Sequence, residues 1–390
     1  MFTTRFVRLG MAVCISAALA QTCSAQASKG TVAYVYVASR PAGSGVNQIE
    51  AYAAEPTGKL IPVPGSPFQE NVSSMAVNGV YLMGASAASQ TINAYTIQSN
   101  GSLVYKASTN YGQYDSPGCG GAAAVVFDHT GSDLYVPEYN YDCANSGLAS
   151  FVVDKATGVL DYLGVQNTGV KPGVEMPPTF IGNNVFAYLA GNDTCFYYTI
   201  YGFQRESNGQ LVSANTSYNL PAPPPQFTRY IPDIGAADPT NHVAFVMFPG
   251  EPPGCVNAPL QMASYTADAS GNLTTTNTYA NMPSTQIVSP YDMKMAPSGK
   301  LLALAGQEGL QIFHFNGAAP MTHFTGLLTT EPINQMFWDN ENHLYAISQT
   351  GNKLYVFIIT PIGAHEAPGS PYTVNSPGNI IVQPWPLPWA

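Results

Sequence analysis

The residues able to do chemistry in this chain are few and form no familiar catalytic constellation. Six histidines and six cysteines are scattered through 390 residues. No G-x-S-x-G elbow, H-E-x-x-H helix, EF-hand loop or P-loop occurs. Gly84-Ala85-Ser86-Ala87-Ala88 comes near the first of these and reads as a small-residue loop. No C-x-x-C pair is present, so zinc and thiol-redox chemistry lack their usual ligand spacing. Acidic residues could offer oxygen ligands to Ca²⁺, but their spacing forms no cage, and no cofactor is implied. What remains are carboxylates, tyrosines and two arginines: Arg40, Glu138, Tyr139, Asp142, Asp193, Arg229, Tyr230, Asp292 and Glu308. Carboxylates accept hydrogen bonds from hydroxyls, guanidinium groups donate them, and tyrosine joins an apolar ring to a polar tip. Such a set suits recognition of a small polar ligand, provided that some framework gathers it.

The ends and the balance of charge narrow the setting. Arg5 and Arg8 precede an apolar stretch over residues 9–20, and Ala25-Gln26-Ala27 is a small-residue cleavage site. Residues 1–27 therefore read as a secretory signal, too short in its apolar part to span a bilayer after processing. The mature chain is expected to begin at Ser28, as a secreted or periplasmic protein. A lipoprotein anchored through Cys23 is the rival reading, but Ala20-Gln21-Thr22 lacks the small residue expected just before a lipidated cysteine. Without the signal, 11 basic residues face 23 acidic ones, a formal charge of −12. That sign argues against nucleic acid or an anionic membrane as partner, because phosphate binding needs clustered Lys and Arg. Cys119, Cys143, Cys195 and Cys255 remain, an even number that implies two disulfides in an exported chain.

Gly and Pro together number 68, which fits many short strands joined by turns. No long helical periodicity follows residue 30. One motif recurs instead, an aliphatic residue, two others and an aromatic. It runs through Ile49-Glu50-Ala51-Tyr52, Ile92-Asn93-Ala94-Tyr95, Leu148-Ala149-Ser150-Phe151, Ile200-Tyr201-Gly202-Phe203, Met262-Ala263-Ser264-Tyr265, Ile312-Phe313-His314-Phe315 and Leu354-Tyr355-Val356-Phe357. The aromatic-to-aromatic intervals are 43, 56, 52, 62, 50 and 42 residues. A β-rich run precedes each copy, as in Tyr34-Val35-Tyr36-Val37. A G-x-L turn follows five of them, beginning at Gly58, Gly101, Gly158, Gly209 and Gly271; Gly317 and Gly363 in the last two units lack the leucine. A further strand, often opened by proline, precedes each β-rich run. Four antiparallel strands repeated seven times predict a seven-bladed all-β propeller over residues 28–390 as a single domain.

The first unit lacks its inner strand. "SPGNIIVQP" near the C-terminus is similar to "SPYDMKMAP", the inner strand of the sixth unit. Residues 379–384 are therefore expected to complete blade one and close the ring, which removes two open edges. In this topology the loops between second and third strands, and those leading into each inner strand, share one face. That face gathers the nine residues above, together with Tyr114, Asp115, Glu175, Asp233, Tyr291, Gln307, Glu331 and Asn334. It also holds all four cysteines, with Cys119–Cys143 expected inside blade three and Cys195–Cys255 between blades four and five. All six histidines fall elsewhere: His129, His242 and His343 on the opposite rim, His314 in a third strand, His323 near an outer strand and His365 in a turn.

The Tyr-Val-Tyr-Val-Ala-Ser, Leu-Tyr-Val and Ile-x-Ala-Tyr runs with their G-x-L turns resemble the lactonase-type seven-bladed propellers, the 6-phosphogluconolactonase-like and YVTN-type proteins. Pro64-Gly65-Ser66-Pro67-Phe68 and Pro368-Gly369-Ser370-Pro371-Tyr372 are similar to outer strands of that family. The resemblance covers about residues 31–385. It implies metal-independent lactone chemistry with His, Glu or Arg near the funnel, a pattern that this chain matches poorly, so no catalytic residue is carried over. A phosphorylated substrate is disfavoured by the scarcity of Lys and Arg. The reading is an exported monomeric propeller that binds a glycan, a sugar lactone or a cell-surface protein at its loop-rich face. Extracytoplasmic hydrolysis of a lactone or sugar ester in the central funnel is the alternative, and a scaffold without small ligand is the third.

Overall fold

The computed structural model describes residues 30–86, 90–112, 124–138, 147–168, 177–193, 197–251, 254–255 and 259–386. Its strands form seven antiparallel sheets arranged as a ring of blades, each with an innermost strand, two middle strands and an outer strand. Blade two shows the plan: Ser74–Val77, Tyr81–Ser86, Thr91–Ile97 and Leu103–Asn110 follow one another from the channel outward. Blade one differs. Ala33–Ser39 pairs on one side with Gln48–Ala54 and on the other with Asn379–Pro384, in the register Val35↔Val382 and Val37↔Ile380. The chain end is therefore the inner strand of the first blade, as its sequence predicts.

The closing strand holds because its side chains alternate between two blade interfaces. Ile380 and Val382 enter the apolar cluster between blades seven and one, while Ile381 enters the cluster between blades one and two. All three are buried. Full burial of one such side chain stabilises by about 1.5–3 kcal/mol. Beyond the strand, the Trp385 N–H donates to Val32 O at 2.8 Å, and the indole packs edge-on against Tyr34, ring centroids 5.6 Å apart. Part of the Trp/Pro tail is thus a clasp on the blade it completes.

The same logic explains the repeated Tyr and Gly. Tyr36, in the second strand of blade one, donates from its hydroxyl to the carbonyl of Gly101 in blade two, at 2.8 Å. Tyr135 does the same to Gly209 and Tyr188 to Gly271, each at 2.7 Å. Gly101 has φ 81°, and a Cβ there would lie 2.3 Å from the Tyr34 ring. Glycine is required both for the turn and for the close approach of the neighbouring blade. The leucines that follow, Leu60, Leu103, Leu160, Leu211 and Leu273, are all buried.

Three readings need correction. Gly191-Asn192-Asp193 and Pro249-Gly250-Glu251 are not loops. They extend the second strands Phe186–Asp193 and His242–Glu251, the latter also pairing with Gly254–Cys255. Continuing the ladder satisfies backbone groups that a loop would leave to water. The Pro-Gly-Ser-Pro segments are outer strands only at their ends: Leu60–Pro62 and Gly363–Glu366 pair with the third strands first, the prolines interrupt the ladder, and Phe68 and Tyr372 resume it opposite Ile49 and Leu354. Proline has no N–H for a ladder, so the outer edge breaks there. His365 accordingly lies in a strand rather than a turn. Among the described residues no helix is long and apolar enough to cross a membrane.

Candidate ligand site in the central channel

The seven innermost strands surround a channel, and their first residues tie one blade to the next. Each inner strand is an edge, so its backbone groups need partners from outside its own sheet. Side chains supply them. Ser74 Oγ accepts from Val125 N at 3.1 Å, and Asn379 Oδ1 from Met75 N at 2.9 Å. Gln335 Oε1 accepts from Ile380 N at 2.7 Å and from Asn379 Nδ2 at 3.0 Å. Asp292 Oδ2 accepts from Met336 N at 2.9 Å, while its other oxygen takes a 2.8 Å bond from Lys294 Nζ. Thr179 Oγ1 donates to Gly235 O at 3.1 Å. A polar collar results, built on rigid strands.

This collar lines a cavity of about 630 Å³, to which the inner strands of blades one, two, three, six and seven contribute. A second lobe of about 300 Å³ continues it along blades three to six. The two share Val126, Phe127, His129, Pro177, Asp292, Lys294 and Phe337, so His129, expected on the opposite rim away from the funnel, stands in the channel lining, where burial lowers its pKa. Lys294 is the sole Lys or Arg among the described lining residues, and its charge is matched by Asp292.

The structure gathers some of the sequence-derived candidates and disperses others. Asp292 is in the channel. Arg40 is exposed beyond the second strand of blade one, its Nε donating to Asn47 Oδ1 at 3.1 Å. Arg229 and Tyr230 open the inner strand Arg229–Ala237 of blade five. Tyr230 is buried in the cluster between blades four and five, donates its hydroxyl to Gln261 Oε1, and has its pKa pushed up to about 12 by burial. Glu308 sits in the hairpin of blade six and accepts from Val288 N at 2.8 Å and Ser289 N at 3.1 Å. Its carboxylate ties down the connection into its own inner strand. Glu138 and Asp193 end the second strands of blades three and four, their side chains outside the described atoms. Tyr139, Asp142, Cys119, Cys143 and Cys195 lie outside the described residues. Cys255 is placed by its backbone alone, opposite Gly250.

Lys294, Gln335, Asn379 and Ser74 were not singled out from sequence. A signal existed. Aligning the inner strands puts a polar residue before an apolar one in Ser74-Met75, Asp292-Met293, Gln335-Met336 and Asn379-Ile380.

Asp233, one of the wider loop-face set, is in an unusual setting. Pro232 pairs with Met247 and Gly235 with Phe245, so Asp233 and Ile234 together oppose one residue in a β-bulge. Burial pushes the Asp233 carboxyl up to about 6, against a small opposing effect of the Ile234 N–H. Two carboxylates of the opposite rim are held the other way. Burial would raise Asp128, but bonds from Thr130, Asn184 and the Asp133 backbone, with Arg205 nearby, hold it below the ordinary range. Asp238 is likewise lowered, its burial outweighed by bonds from Thr240 and His242. Asp339 takes His343 Nδ1 at 2.7 Å and Tyr345 OH at 2.9 Å. Among the described residues, no group of three or more His, Cys, Asp and Glu is placed to hold a metal ion.

No family model matches the chain, and no curated protein matches it. Solved structures do. A protein from Lactobacillus plantarum has TM-score 0.63 at 12% identity, covering 90% of this chain and 99% of that one. A functionally unknown protein from Desulfotomaculum acetoxidans has TM-score 0.61 at 14%, covering 90% and 99%. The periplasmic gluconolactonase of Pseudomonas aeruginosa has TM-score 0.49 at 16%, covering 92% and 86%. Identities this low speak for fold and not for activity. The chain is a seven-bladed β-propeller, a fold that it shares with the first two of these structures.

Proposed function

We propose that the central channel binds a neutral polar ligand of sugar or sugar-lactone type. The observation that carries this reading is the lining itself. A cavity of about 630 Å³ is edged by hydroxyl, amide and backbone groups beside Asp128 and His129, and its one Lys is matched by Asp292. Pockets of this size accept small molecules, with a few fixed polar groups setting orientation. A phosphorylated or carboxylated ligand would need unpaired cations that the described lining does not offer. Export through residues 1–27, the two disulfides and a monomeric state belong to the same reading. A thermal-shift screen of neutral sugars and lactones tests it: stabilisation by members of that class, and not by sugar phosphates, is expected. Preferential stabilisation by phosphorylated sugars would overturn it.

Hydrolysis of a lactone or sugar ester is the second reading, favoured by the family resemblance. Turnover of hits from the screen would support it. Binding without turnover leaves recognition alone.

A further inference from the structure

We propose that the channel's ligand is amphipathic: a sugar or sugar lactone fills the lobe of about 630 Å³, and an aryl or short alkyl group attached to it fills the lobe of about 300 Å³. The inference rests on the channel being a sugar site and adds the class of group that the sugar carries. It starts from a difference between the lobes. Side chains found only in the larger one include Ser73, Ser74, Asn334, Gln335 and Asn379. The described residues found only in the smaller one are Pro, Gly or apolar with two exceptions, Thr179 and Tyr188. Both exceptions have spent their hydroxyl hydrogens. Thr179 Oγ1 donates to Gly235 O at 3.1 Å, and Tyr188 OH to Gly271 O at 2.7 Å. A sugar ring pushed into the smaller lobe would exchange water for apolar side chains at most of its hydroxyls, which is costly.

The order of residues along the inner strands produces this difference. Their early positions carry the collar of Ser74, Asp292, Gln335 and Asn379 that ties blades together. Their later positions carry Phe127, Ala237, Met295 and Phe337, all in the smaller lobe. Each of these four is half-buried, so part of its apolar surface is left uncovered toward the channel. Blade four adds to the patch. Its inner strand is only Thr179–Phe180, and Leu189 and Ala190 of its second strand reach the lobe.

The seam between the lobes is polar. His129, Asp292 and Lys294 belong to both, and the His129 ring is exposed. The Lys294 ammonium has donors beyond the one given to Asp292 Oδ1. A glycosidic or ester oxygen that joins the sugar to its apolar group would lie at this seam. The smaller lobe is at the lower end of small-molecule pocket size, which suits a single ring or a short chain. Each methylene that leaves water for it should tighten binding by up to about fourfold.

The test is titration calorimetry of the full chain with methyl, propyl, hexyl and phenyl glycosides of glucose, galactose and mannose, and with hexanol. For a sugar that binds, the hexyl or the phenyl glycoside should bind about tenfold or more tighter than the methyl glycoside, with a more negative heat-capacity change. A gain confined to phenyl identifies an aryl group and one confined to hexyl an alkyl chain; either supports the inference. Equal affinity across the series overturns it and keeps the sugar site. Ala237→Leu narrows the smaller lobe and should bring the hexyl-to-methyl affinity ratio down toward one. Met295→Ala widens the lobe and should move the preference toward longer chains. A ratio and chain-length preference unchanged in both variants place the apolar group elsewhere and overturn the inference. Hexanol binding as tightly as the hexyl glycoside overturns the sugar reading instead. If no glycoside binds the parent protein, both fall together.

Discussion

The two sets of carboxylates in this ring make opposite use of one side chain. On the rim formed by turns between first and second strands, Asp128, Asp238 and Asp339 cap their turns and hold the next strand's first N–H groups. In the inner strand of blade five, Asp233 caps nothing and is pushed toward protonation. The first set lowers the free energy of the fold. The second raises it. The number of donors aimed at each carboxylate separates them.

The largest expected effect removes the frame that both sets share. Deleting residues 376–390 takes out the inner strand of blade one, with Ile380, Ile381, Val382 and Trp385. Calorimetry should show loss of the parent's cooperative transition; a melting temperature equal to the parent's would refute ring closure by this strand. Next comes Asp339→Ala. It strips His343 and Tyr345 of a shared buried acceptor, which should cost about 3–5 kcal/mol in urea unfolding. A cost under about 1 kcal/mol would make the rim carboxylates ornamental and erase the contrast.

Asp233→Asn should move stability the other way, raising it by about 1–3 kcal/mol at pH 7, from a shift of about two units at 1.36 kcal/mol each less partial exposure. The sign is definite. A carboxyl with raised folded-state pKa makes stability fall as pH rises from its ordinary 3.8 toward about 6. The gain in the variant should therefore vanish near pH 4 and be complete at pH 7. For Asp128 and Asp238 the folded pKa is lowered, so their contribution is lost only in stronger acid, as pH falls below the ordinary carboxylate value. A melting profile in which Asp233→Asn loses stability at pH 7 would place Asp233 with the rim set. The smallest effect is expected for Glu308→Gln, about 0.5–1 kcal/mol, because an amide oxygen can still accept from Val288 and Ser289. Sugar affinity should be unchanged in it.

Much of the framework could be read from periodicity. The G-x-L turns, the tyrosines before them and the tail's likeness to residues 289–297 express constraints that recur from blade to blade, so each copy reinforces the next. The site was less legible. Tyr230 looks like a loop-face contact from its place in the chain, yet it begins a strand and turns into the interface between blades four and five. Glu308 looks free and is occupied by backbone N–H groups. Gln335 and Asn379 look unremarkable and join blades across the channel. Such roles depend on which neighbouring strand comes within 3 Å, a relation between residues more than 40 positions apart.

By itself, the sequence determined the number of blades, the order of strands and the partner of the closing strand. Those follow from local alternation and turn chemistry, which act over a few residues and repeat. Only the tertiary structure decided which carboxylates are spent and which is spare. Asp233 and Asp292 both sit near a proline at the start of an inner strand. Both strands carry a register shift there, but Asp292 meets a lysine and a backbone N–H of the next blade while Asp233 has only the Ile234 N–H beside it, and that difference in donors sets their chemistry apart.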